Sequence, residues 1–224
     1  MDTNSQTQTT CLILKTVSFL MRRRLIGFVE AVEITGKTFE CREIDPFNEM
    51  AQKVFQSADV TEVITRKTFP GIPSAGFMIR VGVETGAIED ALDFLANITQ
   101  EQLLLKEAVA EEQGEYRIGG PIFFLKILGW LVGNGIPILQ AINVAGDGNI
   151  PPDILKDIHD TVRDDNSISS AFKNLPTLEK FDVETIARSE VMGTLPDACR
   201  LLGEYLHARI IGEAKFREIQ KFVM

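Results

Sequence analysis

The residue types best suited to metal binding or acid–base chemistry gather around one of the two histidines. Five of them share a short charged stretch: Asp157, His159, Asp160, Asp164 and Asp165. Carboxylate and imidazole groups can ligate divalent cations, so one hypothesis is a metal-binding or enzymatic helical protein built on this cluster. A charged run of this kind is more often the solvated face of a helix. The other histidine, His207, has no neighbouring serine or cysteine in a recognised nucleophilic arrangement.

The remaining candidates for chemistry are isolated. The chain has three cysteines, an odd number, and they are far apart: Cys11, Cys41 and Cys199. They match neither a disulfide framework nor a metal-ligand cluster, which indicates a reducing compartment. The glycines at Gly133 and Gly146 lack the strand and the lysine of a phosphate-binding loop. We therefore expect a non-enzymatic protein with no cofactor and no metal.

The overall charge of the chain argues against nucleic acids as partners. The chain has 32 acidic and 23 basic residues, a formal net charge of -9. Nucleic-acid binding requires a basic surface, so we expect no nucleic-acid partner. The polar first residues, MDTNSQTQTT, do not have the form of a signal peptide, which predicts a cytoplasmic protein.

One uncharged segment has the length of a membrane span. Residues 127–146 carry no charge, and another hypothesis is a membrane protein that crosses the bilayer with this segment. Gly135 and Pro137 fall near the centre of the segment, where glycine and proline break a helix. The sequence therefore predicts two short buried helices, with the break and the restart at these two residues.

The two halves of the chain contain helices in the same order. Corresponding residues are separated by a constant number of positions, the number that separates Gly86 from Gly193. Shared apolar positions follow each of these glycines at helical spacing. Each half begins with an apolar helix, at residues 12–34 and 123–145, and ends with a long one. Between these lie a helix that begins at prolines and a short helix behind a polar cap, which is Asp59 in the first half and Ser167 in the second.

This order predicts an all-α fold of two tandem helical bundles, with about six helices each. No segment alternates with period two for long enough to require a strand. A polar stretch that ends in glycines separates the bundles. The predicted domains are residues 1–113 and 121–224, joined by a hinge at 114–120.

Two kinds of motif in this sequence resemble a known family. The second half contains FLKILGWLVGNGIPILQAI, with Gly-Ile-Pro at a helix break, and the strings GVETGAI and SEVMGTL lie late in the two halves. They resemble the F domains of the platform proteins of type II secretion and type IV pilus assembly, where the late motif is Gly-Glu-x-Ser/Thr-Gly-x-Leu. In the first half, Leu25-Ile26-Gly27 replaces Gly-Ile-Pro. The motif residues are Gly82, Glu84, Gly86, Gly135, Pro137, Glu190 and Gly193.

The resemblance implies a helical assembly protein that binds components of a secretion or pilus machine, such as its ATPase. Family members carry transmembrane helices beside their two domains, and this sequence predicts a relative without them. The domains of the family associate as dimers, which implies a pseudo-dimer within this chain and allows a homo-oligomer. The apolar residues expected to join the two halves, or to lie in the core of each, are Leu92, Phe94, Leu95, Leu201, Leu202 and Leu206.

A basic group in this acidic protein is the candidate partner-binding site. Arg22, Arg23 and Arg24 are consecutive, and Lys15 precedes them by two helical turns. An acidic protein face, such as that of the ATPase, would be attracted to them. Peripheral contact with the anionic inner membrane is an alternative, and a solvated helix face is another.

The motif residues have simpler structural explanations. Gly86 and Gly193 each lie between two helices, where glycine permits a positive φ or a close helix approach. Glu84 and Glu190 are expected at helix ends, where they form local hydrogen bonds or surface ion pairs rather than bind a metal or a partner.

Overall fold

The computed structural model describes residues 3–39, 42–56, 69, 72–108, 119–165, 167–175 and 177–223. All regular elements in these ranges are helices, which confirms the all-α prediction. The chain divides into two compact units, Met1–Leu104 and Leu105–Met224. Residues 114–118 of the expected hinge lie outside the described residues. Gly120 is the first residue of a helix rather than part of a hinge. It is buried, and a Cβ there would meet the carbonyl group of Asn149.

The first unit contains helices α1 to α4 and most of α5. Their bounds are α1 Thr3–Arg24, α2 Phe28–Phe39, α3 Asp45–Phe55 after a 3₁₀ turn at Arg42–Ile44, α4 Ala75–Thr85 and α5 Ile88–Ala108. Helices α1 and α5 pack together, since the Cys11 thiol donates to the carbonyl of Ala96 at 3.4 Å. The short helix expected after Asp59 lies outside the described residues.

The prediction of a single first helix over residues 12–34 is wrong. Helix α1 ends at Arg24 and α2 begins at Phe28. Between them Leu25 has a φ of 53°, in the left-handed region. A residue in that conformation ends an α-helix, and leucine gives little sequence signal for it because glycine is the usual residue there.

The second unit contains the remaining helices. Their bounds are α6 Gly120–Gly133, α7 Ile138–Gly146, α8 Pro152–Asp165, α9 Ile168–Phe172, α10 Lys180–Met192 and α11 Leu195–Val223. Ser167 caps α9, because its hydroxyl accepts from the N–H of Ser170 at 3.2 Å. The polar cap expected at this position is therefore present.

Helix α6 is the centre of the second unit. Its residues 120–129 are all buried, which explains why the sequence carries almost no charge there. Helix α11 packs against α6 through two glycines. A Cβ on Gly129 would lie 2.6 Å from the carbonyl oxygen of Pro196, and a Cβ on Gly203 would lie 2.5 Å from Cγ of Lys126. The pairing of early α11 with late α6 shows that the two helices run antiparallel.

The uncharged segment at residues 127–146 forms two helices with a break, as the sequence predicts. Helix α6 ends at Gly133, Gly135 has a φ of 82°, and Pro137 directly precedes α7. Within the described ranges, no helix combines the length and the hydropathy that crossing a bilayer requires.

Candidate interaction surfaces

The two units contain the same helix–glycine–helix turn. Gly86 lies between α4 and α5 with a φ of 74°, and Gly193 lies between α10 and α11 with a φ of 71°. The N–H of Ala87 donates to the carbonyl of Gly82 at 2.8 Å, and that of Thr194 donates to the carbonyl of Ser189 at 2.9 Å. Each glycine N–H donates to the carbonyl three residues back at 3.3 Å. Both turns are Schellman motifs, and they lie at the offset that relates the two halves of the sequence.

The glycines of the first turn are required for different reasons. A Cβ on Gly86 would meet nothing within 4 Å, so the positive φ is what favours glycine there. A Cβ on Gly82 would lie 2.9 Å from Cβ of Ala91. Gly82 therefore allows the end of α4 to approach the beginning of α5 closely.

Glu190 holds the start of α9. Its carboxylate accepts from the N–H of Ile168 at 2.5 Å and from the N–H of Ser169 at 3.0 Å. Both N–H groups belong to the first turn of α9, where the helix itself provides no acceptor. Glu190 thus connects α10 to a helix that lies more than twenty residues earlier in the chain.

Glu84 is not the structural counterpart of Glu190. Counted back from the two turn glycines, Glu190 corresponds to Val83 and Glu84 corresponds to Val191. Glu84 is exposed and lies 3.8 Å from Nε of Arg80, one turn earlier on α4. Glu84 has the local surface ion pair expected from the sequence, whereas Glu190 makes hydrogen bonds to another helix rather than local ones.

The candidate basic site separates into two pairs of residues. Arg22 contacts Asp90 at 2.5 Å and Asp93 at 3.3 Å, both on α5. The hydrogen bond with Asp90 raises the pKa of Arg22 above its usual value. Lys15 donates to the amide oxygen of Gln100, also on α5. These two side chains therefore connect α1 to α5.

Arg23 and Arg24 are placed differently. Both are exposed, and no ion pair to either is found among the described residues. Of the four residues expected to bind a partner, these two keep their charge fully available at the surface.

Two aspartates of the acidic cluster on α8, Asp160 and Asp164, contact neighbouring cations. Asp160 lies 3.1 Å from both Lys156 and Arg163, and 3.6 Å from Nδ1 of His159. The hydrogen bond from Lys156 is the main reason why the pKa of Asp160 is below its usual value. Arg163 also contacts Asp164 at 2.9 Å. In the part of the chain that the structure describes, no three His, Cys, Asp or Glu side chains are grouped as metal ligands would be.

The described cysteines are buried. Cys199 is fully buried, and this burial, with a smaller contribution from the charge of Glu190, raises its pKa to about 12. Burial also raises the pKa of Cys11. A thiol with a raised pKa carries little thiolate, so both side chains act as small apolar core residues. Cys41 lies outside the described residues.

The second unit exposes several large apolar side chains, of which the sequence had singled out only Leu201. At the end of α10, Val191 is 89% exposed and Met192 is 74% exposed. The corresponding residues of the first unit are the polar Glu84 and Thr85. Comparing the two halves residue by residue, with the two turn glycines aligned, would have revealed this difference. Where the burial of α10 and α11 is described, that is up to residue 216, the other exposed large apolar residues are Phe181, Leu201, Tyr205 and Phe216.

A third exposed apolar group lies on α1. Leu12 is 54% exposed and Phe19 is 57% exposed, and Leu25, just after the helix, is 91% exposed.

No protein-family model matches the chain, and no curated protein is significantly similar to it in sequence. The repeated glycine turn and the exposed groups on α1, α10 and α11 are therefore the features from which a function can be inferred.

Proposed function

We propose that this protein is a non-enzymatic assembly protein, related to the cytoplasmic domains of type II secretion and type IV pilus platform proteins. In this proposal it consists of two tandem bundles of about six helices and acts in the cytoplasm. Its partners are protein components of the assembly machine, with the ATPase as the first candidate. The observation that carries the proposal is the repeated Schellman turn at Gly86 and Gly193.

The repeated turn supports the proposal because its agreement extends beyond glycine alone. The hydrogen bonds from Ala87 and Thr194 are 2.8 Å and 2.9 Å long, and those from the two glycines are both 3.3 Å long. In each unit the turn directly precedes the last long helix. The turn also lies in the late motif by which the sequence resembles the F domain family.

A second break supports the same duplication. Leu25 and Gly135 both have a positive φ and both follow the first helix of their unit. The helices after them, α2 and α7, each begin three residues later, so the two breaks correspond in helix order, with a separation three residues longer than that of Gly86 and Gly193. Leu25-Ile26-Gly27 thus corresponds to Gly135-Ile136-Pro137. The agreement covers the beginning as well as the end of each unit.

The proposed protein-binding surface is the end of α10. Val191 and Met192 are exposed, and large apolar side chains at a surface gain free energy when a partner covers them. The first unit is polar at the two corresponding positions, so the turn itself does not require apolar residues there. A partner that recognises the second unit would therefore contact this pair.

The test is binding of the purified full-length chain to the purified assembly ATPase of the same cell, measured by isothermal titration calorimetry. The informative variant is Val191→Glu with Met192→Thr, which installs the residues of the first unit. Burial of each of these side chains is worth about 1.5–3 kcal/mol, so the variant is expected to weaken binding by tenfold or more.

The matched control is Leu12→Glu, which adds the same charge to another exposed apolar position. It should bind the ATPase like the unmodified protein. The absence of binding to the ATPase and to the other purified components of the machine would contradict the proposed function. Equal loss in both variants would contradict the assignment of the surface.

The pseudo-dimer stays part of the proposal. Leu92, Leu95, Leu202 and Leu206 are buried, whereas Leu201 is 53% exposed. A tether raises the effective concentration of one bundle near the other to roughly the millimolar range, which favours pairing. Small-angle scattering of the intact chain should then give a radius of gyration of about 17 Å, the value for one compact body of this length. A markedly larger radius would indicate two detached bundles.

A further inference from the structure

The charge of α1 is unlike that of the rest of the chain. The protein has 32 acidic residues, yet none lies in α1 between Thr3 and Arg24. The same helix carries four basic residues, Lys15, Arg22, Arg23 and Arg24. The next acidic residue along the chain is Glu30, in the first turn of α2. An acidic protein has thus kept one of its longest helices free of negative charge.

The exposed side of α1 carries large apolar side chains and cations, beside uncharged polar residues such as Gln6 and Gln8. Ile13, Leu14 and Val17 are fully buried and form the inner face. Leu12 and Phe19 are seven residues apart and more than half exposed, and Arg23 follows Phe19 by one turn. At about 100° per residue these three residues point in nearly the same direction. On this outer face two large apolar side chains, with the polar Thr16 between them, lie in line with a cation.

The end of α1 adds a second exposed group beside the outer face. Leu25 is 91% exposed, and its positive φ ends the helix directly after Arg24. Because α5 already provides partners for Lys15 and Arg22, the charges available at this end are those of Arg23 and Arg24. The end of the helix therefore presents an almost fully exposed apolar side chain next to two exposed cations.

We propose that the outer face and end of α1, formed by Leu12, Phe19, Arg23, Arg24 and Leu25, bind the surface of an anionic phospholipid membrane. Apolar side chains on such a helix enter the boundary between headgroups and acyl chains, while the arginines contact phosphate groups. The proposal concerns this surface alone and does not depend on the assembly function.

One observation favours a membrane over an acidic protein. A leucine that is almost fully exposed at a helix end needs a pocket on a protein partner, whereas a bilayer accepts any exposed apolar side chain. The net charge of -9 opposes contact with an anionic membrane and with an acidic protein alike. Either contact is easiest through α1, which has no acidic residue and whose acidic neighbours on α5, Asp90 and Asp93, are paired with Arg22.

The experiment is co-sedimentation of the full-length protein with large unilamellar vesicles. One set contains phosphatidylglycerol and phosphatidylcholine in equal amounts, and the other contains phosphatidylcholine alone. We expect binding to the first set only, weakened by added salt. One arginine near an anionic surface changes the partition coefficient about fivefold, so Arg23→Gln with Arg24→Gln should lower it about 25-fold.

Further variants separate charge from apolar contact. Leu12→Ser with Phe19→Ser and, separately, Leu25→Ser should weaken binding to the anionic vesicles while leaving the circular dichroism spectrum unchanged, because these side chains are exposed. The control is Lys173→Gln with Lys215→Gln, which removes two exposed cations of the second unit. It should bind like the unmodified protein.

Three results would overturn the proposal. The first is no sedimentation with the anionic vesicles at millimolar lipid. The second is equal binding by the arginine variant and the lysine control. The third is a lipid-independent complex with the purified ATPase that the arginine variant abolishes, which would assign this face to an acidic protein instead.

Discussion

Replacement of Leu25 by glycine should stabilise the protein. The φ of Leu25 is 53°, and an L-residue in the left-handed region costs about 1–2 kcal/mol. Glycine removes that cost but makes the unfolded chain more flexible, which offsets about 0.4–1 kcal/mol. Leu25 is 91% exposed, so little buried apolar area is lost. The expected net gain is about 0.5–1 kcal/mol.

The matched control is Leu25→Ala. Alanine keeps the Cβ that causes the unfavourable backbone conformation and removes only the exposed part of the side chain. Its free energy of unfolding should therefore stay within about 0.5 kcal/mol of the unmodified protein. The reverse change, Gly135→Ala, should destabilise by about 1 kcal/mol, because a Cβ there would meet nothing within 4 Å and only the backbone conformation with its φ of 82° opposes it.

The assay is thermal and urea unfolding followed by far-ultraviolet circular dichroism. For a chain of this length the gain corresponds to an increase in Tm of about 1–4 °C. If Leu25→Gly and Leu25→Ala shift the midpoint equally, the positive φ is not the cause. If Leu25→Gly lowers the midpoint, the side chain of Leu25 contributes to folding and the reasoning fails. The gain in stability should coexist with weaker binding to anionic vesicles, because the two effects have different origins.

Three further predictions test the contacts inside the units. Glu190→Gln should lower the free energy of unfolding, measured by urea titration, by about 1–3 kcal/mol, since an amide cannot replace both carboxylate acceptors at the start of α9. The control Glu84→Gln should change it by less than about 0.5 kcal/mol, because Glu84 makes only a surface ion pair. Arg22→Gln should destabilise by up to about 1 kcal/mol at low salt and less at high salt, while Arg23→Gln should have no effect, because only Arg22 contacts Asp90 and Asp93. Cys199 should react with a disulfide reagent at mildly alkaline pH only after unfolding by urea, since burial raises its pKa to about 12; rapid reaction of this thiol in the folded protein, assigned by mass spectrometry, would show that it is accessible.

The sequence alone determined the features that depend on neighbouring residues. Apolar residues at helical spacing are sufficient to predict an all-α protein, because an amphipathic period of about 3.6 residues is incompatible with strands. Gly86, Gly135 and Gly193 marked helix ends correctly, because only glycine adopts a positive φ at little cost. The same argument explains the failure at Leu25. Leu25 has a positive φ, as Gly135 does, but it is not a glycine. The local sequence therefore predicted a continuous helix.

Only the tertiary structure decided which side chains find partners. Four basic residues looked alike in the sequence, but Lys15 and Arg22 lie within reach of α5, whereas Arg23 and Arg24 face solvent. The contacts of Lys15 and Arg22 join residues that are far apart along the chain, and no local pattern encodes such a separation.

Exposure depends on packing in the same way. Val191 and Met192 are apolar, and helix packing leaves them uncovered at the end of α10. Whether a side chain is buried depends on which other helix covers it, and that is fixed by close contacts such as those at Gly129 and Gly203 between α6 and α11. The sequence therefore specified where the helices are, and their packing specified which of their residues remain available to bind a partner.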